Sequence, residues 1–135
     1  FESRRMKDAL VVKKCILIID DEEDFIFLAE SILKNHGGFH VVTALGGEEG
    51  VRAAARERPD LILLDVVMAG LDGPATFERL KKIPSCRETP IVFVTGVTGE
   101  VERSLLLDLG AAEVLKKPVD VKTFSDRIFA LLPGS

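Results

Sequence analysis

Apolar residues gather in five short runs along this chain. The runs are CILII at 15–19, HVVTA at 40–44, LILLD at 61–65, IVFVT at 91–95 and AEVLKK at 112–117. Their length and their β-branched content predict β-strands. Most of them are apolar without interruption, which is the pattern of strands buried on both faces of a parallel sheet. We therefore expect a sheet that helices cover on both sides.

The segment after the first run has the spacing of an amphipathic helix. One face of this helix, at the spacing i, i+3, i+4, i+7 and i+8, holds Phe25, Leu28, Ala29, Ile32 and Leu33. Gly37 and Gly38 follow it and offer a left-handed C-cap. The sequence thus predicts a helix between the first two strands.

Four more helices follow the same rules. Their apolar positions are, helix by helix, Val51, Ala54 and Ala55; Phe77 and Leu80; Val101, Leu105 and Leu109; and Val121, Phe124, Ile128 and Leu131. Pro59 ends the second helix, Pro74 begins the third, Gly110 ends the fourth, and Asp120 is expected to cap the fifth. Five repeats of strand and helix predict an α/β fold with right-handed crossovers.

Composition and charge narrow the class of protein. The chain of 135 residues suits one domain, and 47% hydrophobic and 30% charged residues are typical of a globular protein. A formal net charge of -4 leaves no broad basic surface for phosphates, so we expect no nucleic-acid binding by this segment. No apolar stretch approaches the roughly 18–20 residues that span a bilayer. Two cysteines, Cys15 and Cys86, do not suggest a disulfide framework and favour a cytoplasmic location.

The first residues differ in character from the rest of the chain. Residues 1–13 are irregular and charged, and we interpret them as a tag, a linker or an irregular N-terminal segment. The folded domain is then expected over residues 14–133.

Polar residues close four of the five runs. They are Asp20 and Asp21 after the first strand, Asp65 in the third run, Thr95 in the fourth, and Lys116 and Lys117 in the fifth. Each alone is an ordinary cap, turn or solvated residue, and Glu22, Glu23 and Asp24 are expected to be solvated acids at a helix N-terminus. In an open α/β sheet, however, the carboxyl ends of the strands form one binding edge. The sequence thus predicts three carboxylates, a hydroxyl and an ammonium at a single edge.

Such an acidic edge favours a bound cation. Like charges a few ångströms apart raise each other's pKa or require a positive ion. Oxygen ligands without His or Cys suit a hard ion, and a few carboxylates with waters suit Mg²⁺. An aspartate beside Mg²⁺ and a lysine can also attack phosphorus, since phosphoryl transfer needs mainly positioning and charge neutralisation. The set is sufficient to form an aspartyl phosphate.

Four motifs, taken in order, resemble the receiver domains of two-component response regulators. They are IIDDEE at 18–23, LILLDVVMAGLDG at 61–73, IVFVTG at 91–96 and VLKKPVD at 114–120. The resemblance covers roughly residues 13–133. It implies a flavodoxin-like (βα)5 fold, doubly wound, with a five-stranded parallel sheet of order 2-1-3-4-5.

The resemblance also implies a site. Asp65 would accept a phosphoryl group from the phosphohistidine of a sensor histidine kinase or a phosphotransfer protein. Asp20, Asp21 and Asp65, with the backbone carbonyl of Val67, would hold Mg²⁺. The domain would then be a signalling module and not a conventional turnover enzyme.

The remaining roles concern the response to phosphorylation. Lys117 is favoured over Lys116 as the partner of the phosphoryl group because the lysine of the family directly precedes proline, and strand alternation agrees that only one of the two faces the site. The bond before Pro118 would be cis. Thr95 would couple the phosphoryl group to repacking near the fourth helix and the fifth strand, and so control an output domain or a partner protein. The sequence leaves a homodimer open.

Four residues depart from the pattern of the family. Val114 stands at the usual aromatic switch position, which puts a rotating-aromatic relay in doubt. Ala69 stands where proline is usual, and is expected to loosen the loop after Asp65. Val67 and Val97 are both apolar at positions that handle the attacking water in the family. We therefore predict slow self-dephosphorylation.

Two other classes of protein stay open. A phosphatase of the haloacid-dehalogenase type also pairs Asp, Mg²⁺ and Lys, but needs a D-x-D motif, whereas Asp20 and Asp21 are adjacent. A phosphorylation-independent docking module that keeps the site residues without using them also stays open, because Val114 stands at the aromatic switch position. Nucleotide binding is disfavoured, because GGEEG at 46–50 has neither the spacing of a glycine-rich phosphate loop nor its lysine.

Overall fold

A computed structural model of the chain describes residues 13–96 and 99–134. The interpretation of the N-terminal segment therefore lies almost wholly outside the described residues, and so does Val97. None of the helices in these ranges is long and apolar enough to cross a membrane.

Strands and helices alternate along the described chain. The strands are β1 Cys15–Ile19, β2 His40–Ala44, β3 Leu61–Leu64, β4 Ile91–Thr95 and β5 Glu113–Lys116. The helices are α1 Glu23–Asn35, α2 Gly47–Glu57, α3 Gly73–Lys81, α4 Glu100–Leu109 and α5 Phe124–Leu131. A short 3₁₀ turn, Pro84–Cys86, follows α3. Five strand-and-helix repeats were predicted, and the structure confirms them.

The five strands form one parallel sheet of order β2-β1-β3-β4-β5. This order confirms the fold class that the resemblance implied. In the register of β1 and β3, Ile19 lies opposite Leu64. The residues that follow these two, Asp20 and Asp65, therefore leave the sheet side by side at its carboxyl edge.

Both faces of the sheet are covered, as the uninterrupted apolar runs predicted. Successive strand residues belong to opposite core layers, so that Ile16 and Ile18 of β1 pack with α1 and α5. Leu17 and Ile19 face the layer that contains residues of α2, α3 and α4. Because the side chains of a strand alternate between faces, a strand buried on both sides must be apolar at every position.

The buried faces of α1 and α2 differ from the predicted ones by one residue each. In α1, Leu28 is 40% exposed and Ile26 is buried. In α2, Ala55 is exposed and Ala53 is buried. Periodicity locates an apolar stripe of about 100°, but the sheet contact covers only part of such a stripe.

The predicted apolar face of α4 is exposed. Val101, Leu105 and Leu109 are 69%, 60% and 39% exposed, whereas Leu106 is buried. The three exposed residues lie on one face because they are four residues apart. The helix was thus predicted correctly, but the expectation that this face packs on the core is wrong, since α4 packs against the sheet through Leu106.

The start of α5 also differs from the expectation. Asp120 does not cap this helix, which begins at Phe124 with Thr123 as the N-cap residue. The Asp120 side chain instead accepts a 2.9 Å hydrogen bond from the backbone N–H of Lys122. Its carbonyl accepts the N–H groups of Thr123 and Phe124. Asp120 therefore stabilises a turn that precedes the helix, and such local bonds compete with helical capping.

Candidate functional site

Asp20 and Asp65 meet at the carboxyl edge of the sheet. The ladder between β1 and β3 ends with a 3.0 Å hydrogen bond from the Asp65 N–H to the Ile19 carbonyl. Both aspartates are nearly inaccessible, with 1% and 5% of their surface exposed. The parallel pairing of two apolar strands thus holds two carboxylates in a buried position beside each other.

Asp21 completes a cluster of three carboxylates. Oxygen atoms of Asp20, Asp21 and Asp65 all lie within 4.8 Å of one another. Asp21 is exposed, and its Oδ2 accepts a 3.1 Å hydrogen bond from the N–H of Ala69 in the loop after Asp65. A set of oxygen donors alone, partly open to water, fits a hard cation such as Mg²⁺, which keeps several of its own waters.

Backbone donors orient the two buried carboxylates. Oδ1 of Asp20 accepts the N–H of Glu22 at 2.9 Å, and Oδ1 of Asp65 accepts the N–H of Val66 at 2.8 Å. These bonds orient the two carboxyl groups. The second oxygen of each group, Oδ2, faces the ammonium of Lys117.

Lys117 brings an ammonium into the acidic cluster. Its Nζ lies 2.8 Å from Asp20 Oδ2 and 3.5 Å from Asp65 Oδ2. A 2.9 Å hydrogen bond from the Lys117 N–H to the Thr95 carbonyl holds the backbone, and the Lys117–Pro118 peptide is cis. Lys116 is exposed. The structure therefore places Lys117, and not Lys116, among the carboxylates.

The cluster alters the proton affinities of its members. Burial is the largest cause that raises the pKa of Asp65 from 3.8 to about 6, and the Asp20 carboxylate adds to it, while Lys117 and the Val66 N–H work against the rise. Burial by itself would lower the pKa of Lys117, but its hydrogen bonds to Asp20 and Glu22 and the Asp65 charge raise it above 10.5. At neutral pH an ionised Asp65 thus faces a charged ammonium.

Two predicted site residues lie beside this cluster. Thr95 is the last residue of β4 and is buried, with 1% of its surface exposed. Val67 lies in the loop two residues after Asp65, with its side chain 65% exposed. A carbonyl ligand at Val67 stays a prediction.

Val114 is buried in the same core layer as Leu106 of α4, so its side chain is part of the packing.

Sequence reasoning missed one acid and one aromatic ring at this site. Glu22 was expected to be a solvated acid, but its Oε1 lies 2.6 Å from Lys117 Nζ. The ring of Phe25 lies 4.4 Å from the same Nζ. The available signal was position: Glu22 lies two residues after Asp20, and Phe25 lies in the first turn of α1. Glu23 and Asp24 are exposed, as expected.

An open cleft leads to the acidic edge. It has a volume of about 530 Å³ and is lined by Asp21, Glu22, Glu23, Asp24 and Leu45. Its lining shares Asp21 and Glu22 with the site, so the cleft opens beside the exposed part of the acidic cluster.

Known proteins are similar to this chain in sequence and in fold. The family model of the response regulator receiver domain matches residues 16–129. The response regulator PleD of Caulobacter vibrioides is 40% identical over 105 residues, which are 78% of this chain and 23% of PleD. PilH of Pseudomonas aeruginosa is 35% identical over 88% of this chain and 98% of its own length.

Longer relatives and a solved structure agree with this. The transcriptional regulatory protein PhoP of Bacillus subtilis is 36% identical over 92% of this chain, which spans 50% of PhoP. The chain thus spans about a quarter to a half of these longer relatives. The chemotaxis protein CheY4 of Vibrio cholerae superposes with a TM-score of 0.84 and 25% identity, over 90% of this chain and 100% of CheY4. This chain belongs to the response regulator receiver domain family of two-component signalling.

Proposed function

We propose that Asp65 accepts a phosphoryl group from the phosphohistidine of a sensor histidine kinase or a phosphotransfer protein, and that this phosphorylation switches the surface of the domain. The observation that carries the proposal is the buried Asp65 carboxylate with Lys117 Nζ at 3.5 Å and the oxygens of Asp20 and Asp21 within 4.8 Å. Membership of the receiver family supports the same assignment.

The chemistry is a transfer between a nitrogen and an oxygen. A carboxylate oxygen of Asp65 forms a bond to phosphorus while the bond from phosphorus to the imidazole nitrogen of the donor breaks and returns its electron pair to the ring. Asp65 must be ionised for this attack, and its pKa of about 6 leaves it mostly ionised at neutral pH. The backbone N–H of Val66 keeps the carboxyl plane fixed during the approach.

Asp20, Asp21, Asp65 and the carbonyl of Val67 would hold Mg²⁺. When bound, this ion supplies positive charge to the carboxylates and to the phosphoryl oxygens. Three carboxylates beside a single lysine, with no imidazole or thiolate in the cluster, fit such an ion.

Lys117 and Thr95 contact the phosphoryl group on Asp65. The Lys117 ammonium pairs with a phosphoryl oxygen, and its position 3.5 Å from Asp65 Oδ2 supports this role. The Thr95 hydroxyl turns towards another phosphoryl oxygen, and its place at the end of β4 supports that assignment. The loop after Thr95 then moves α4, and the packing between α4 and β5 adjusts. An interaction that exists in only one of two states is what shifts the equilibrium between them.

The partners follow from this mechanism. The switched surface controls an output domain or a partner protein, and the exposed Val101 and Leu105 of α4 offer apolar area for that contact. The domain, residues 14–133, acts in the cytoplasm as a signalling module. It is not a turnover enzyme, and it does not contact nucleic acid itself. Formation of a homodimer is one way in which the phosphorylated surface can act.

Intact-mass spectrometry after incubation with acetyl phosphate tests this proposal. The wild type with Mg²⁺ should gain one phosphoryl group, and the gain should disappear with EDTA and in Asp65→Asn. Asp108→Asn, which removes an acid of α4 at the far end from the site loops, is the matched control and should be phosphorylated like the wild type. Detectable Mg²⁺ binding with no mass gain would contradict the proposal and favour the docking module.

A further inference from the structure

Lys117 is held by an acid that has no assigned role. Its ammonium has three N–H donors. Its two shortest contacts are with Glu22 at 2.6 Å and Asp20 at 2.8 Å, whereas Asp65 lies farther away at 3.5 Å. The resting ammonium thus lies nearer to Glu22 than to the phosphoacceptor.

The surroundings of Lys117 make this position well defined. Only 12% of its side chain is exposed, and the ring of Phe25 lies 4.4 Å from its Nζ. Glu22 directly precedes α1, and its carbonyl accepts the N–H of Ile26, which fixes its backbone. Its carboxylate makes no capping bond to the helix and accepts a hydrogen bond from Lys117 Nζ instead.

We propose that Glu22 is a positioning residue that retains Lys117 in the unphosphorylated protein and thereby opposes phosphorylation of Asp65. This inference rests on the proposed function of the site. Once Asp65 carries a phosphoryl group, the ammonium turns an N–H towards a phosphoryl oxygen, and its contact with Glu22 lengthens as it does so. A contact made mainly in the resting state stabilises that state and shifts the equilibrium against the phosphorylated one.

The exposure of Glu22 determines how much its replacement should change the rate of phosphorylation. Its side chain is 63% exposed, so water and salt screen the pair. Exposed ion pairs contribute roughly 0.2–1 kcal/mol, which corresponds to a factor of about 1.5 to 5. Glu22→Gln should therefore raise the initial rate of phosphorylation by acetyl phosphate by a factor of about 1.5 to 5.

Glu23→Gln is the matched control. Glu23 is the next residue, lines the same cleft and is exposed, so its replacement removes the same charge from the approach of the anionic donor. The initial rate of phosphorylation of Glu22→Gln should exceed that of Glu23→Gln by a factor of about 1.5 to 5. This difference between the two variants should decrease as NaCl is added. Both substitutions lie at exposed positions before or in the first turn of α1, and circular dichroism checks that both variants fold alike.

A second measurement records the retention of Lys117 directly. In nitrogen-15 NMR of the unphosphorylated protein, the Lys117 ammonium protons should exchange with water faster in Glu22→Gln than in Glu23→Gln or the wild type. If the wild type is phosphorylated but Glu22→Gln is no faster than Glu23→Gln, the role of Glu22 is overturned and the proposed function stands. If the wild type takes no phosphoryl group, the proposed function fails and this inference fails with it.

Discussion

The N–H of Ala69 donates a 3.1 Å hydrogen bond to Oδ2 of Asp21, and so connects the loop after Asp65 to the acidic pair. Most members of the family carry proline at this position, as the resemblance implied, and proline has no N–H to donate. The sequence suggested only that alanine loosens the loop. The structure shows that alanine adds a contact to a carboxylate.

Ala69→Pro should therefore weaken Mg²⁺ binding. Without the N–H donor, the Asp21 carboxylate loses a contact that orients it, and outer partners of metal ligands are worth about tenfold or more in affinity when buried. Because this pair is exposed, we expect a loss of roughly threefold, measured by isothermal titration calorimetry. Ala69→Gly keeps the N–H and should bind Mg²⁺ like the wild type. Equal affinities for all three proteins would contradict a role for the bond.

The raised pKa of Asp65 predicts how stability depends on pH. The folded protein holds the Asp65 proton with a pKa of about 6, against 3.8 for an ordinary aspartate. Between these values the folded state binds more protons than the unfolded state, so the free energy of unfolding should decrease as pH rises from about 4 to 6. The change should be absent in Asp65→Asn, and urea denaturation across this range measures it.

Mg²⁺ should counter this loss of stability. The ion binds the ionised carboxylates, so protons compete with it below the pKa of Asp65. At tenfold excess over its dissociation constant at pH 7.5, Mg²⁺ should raise Tm by about 3–6 °C. The same concentration at pH 5 should raise it distinctly less. Equal shifts at both pH values, measured by calorimetry, would contradict the assignment of the cation to this site.

Arg103 forms hydrogen bonds at the edge of the sheet, along β5. Its guanidinium donates to the Val114 carbonyl and to Glu113 Oε1, both at 2.7 Å, and the Val114 N–H donates to the same carboxylate oxygen at 2.9 Å. β5 has a neighbouring strand on one side only. Both backbone groups of Val114 are therefore satisfied by side chains at the place where the family usually has an aromatic switch residue.

Arg103→Ala should reduce the free energy of unfolding by about 1 kcal/mol, because each net hydrogen bond or half-exposed ion pair contributes roughly that much or less. Burial alone would raise the pKa of Glu113, but the Val114 N–H and Arg103 hold it below 4.5. The contribution of Glu113 to the free energy of unfolding is thus fully present above pH 4.5 and is lost as the pH falls below the lowered pKa. Urea denaturation at pH 7 and pH 3 should show a larger effect at pH 7. Arg52→Ala, at an exposed position of α2, is the control and should change stability by less than about 0.5 kcal/mol.

The exposed Val67 side chain predicts a long-lived phosphoryl group. An apolar side chain at this place offers no hydrogen bond to an attacking water, so hydrolysis of the aspartyl phosphate should take minutes or longer. Val67→Asn should shorten the lifetime several-fold, whereas Val67→Ala, which removes bulk without adding an amide, should not. Decay of the phosphorylated species, followed by intact mass, measures this. A wild-type half-life of seconds would contradict the prediction.

The strands were predictable because burial on both faces requires uninterrupted apolar runs, whereas their order in the sheet followed from the resemblance to the receiver family. Four of the five runs agree with their strands to within one residue, and the fifth is longer than β5 by one residue at each end. The site carboxylates followed from the rule that parallel strands end at one edge. Periodicity did not reveal that Val101 and Leu105 face solvent, since a repeat defines a face but not what covers it. The position of Glu22 two residues after Asp20 indicated that it lies near the site, but its pairing with Lys117 was not predictable, because 95 residues separate them and only the folded sheet brings them together.

Locating the phosphoryl group in the chain tests the assignment of Asp65 most directly. Borohydride reduction converts a phosphorylated aspartate to homoserine, which peptide mass spectrometry detects at its position in the chain. After phosphorylation with acetyl phosphate and Mg²⁺, we expect homoserine at position 65, and none at positions 20 or 21. Homoserine at another aspartate, or no conversion in protein that has bound Mg²⁺, would contradict the assignment of Asp65 as the phosphoacceptor.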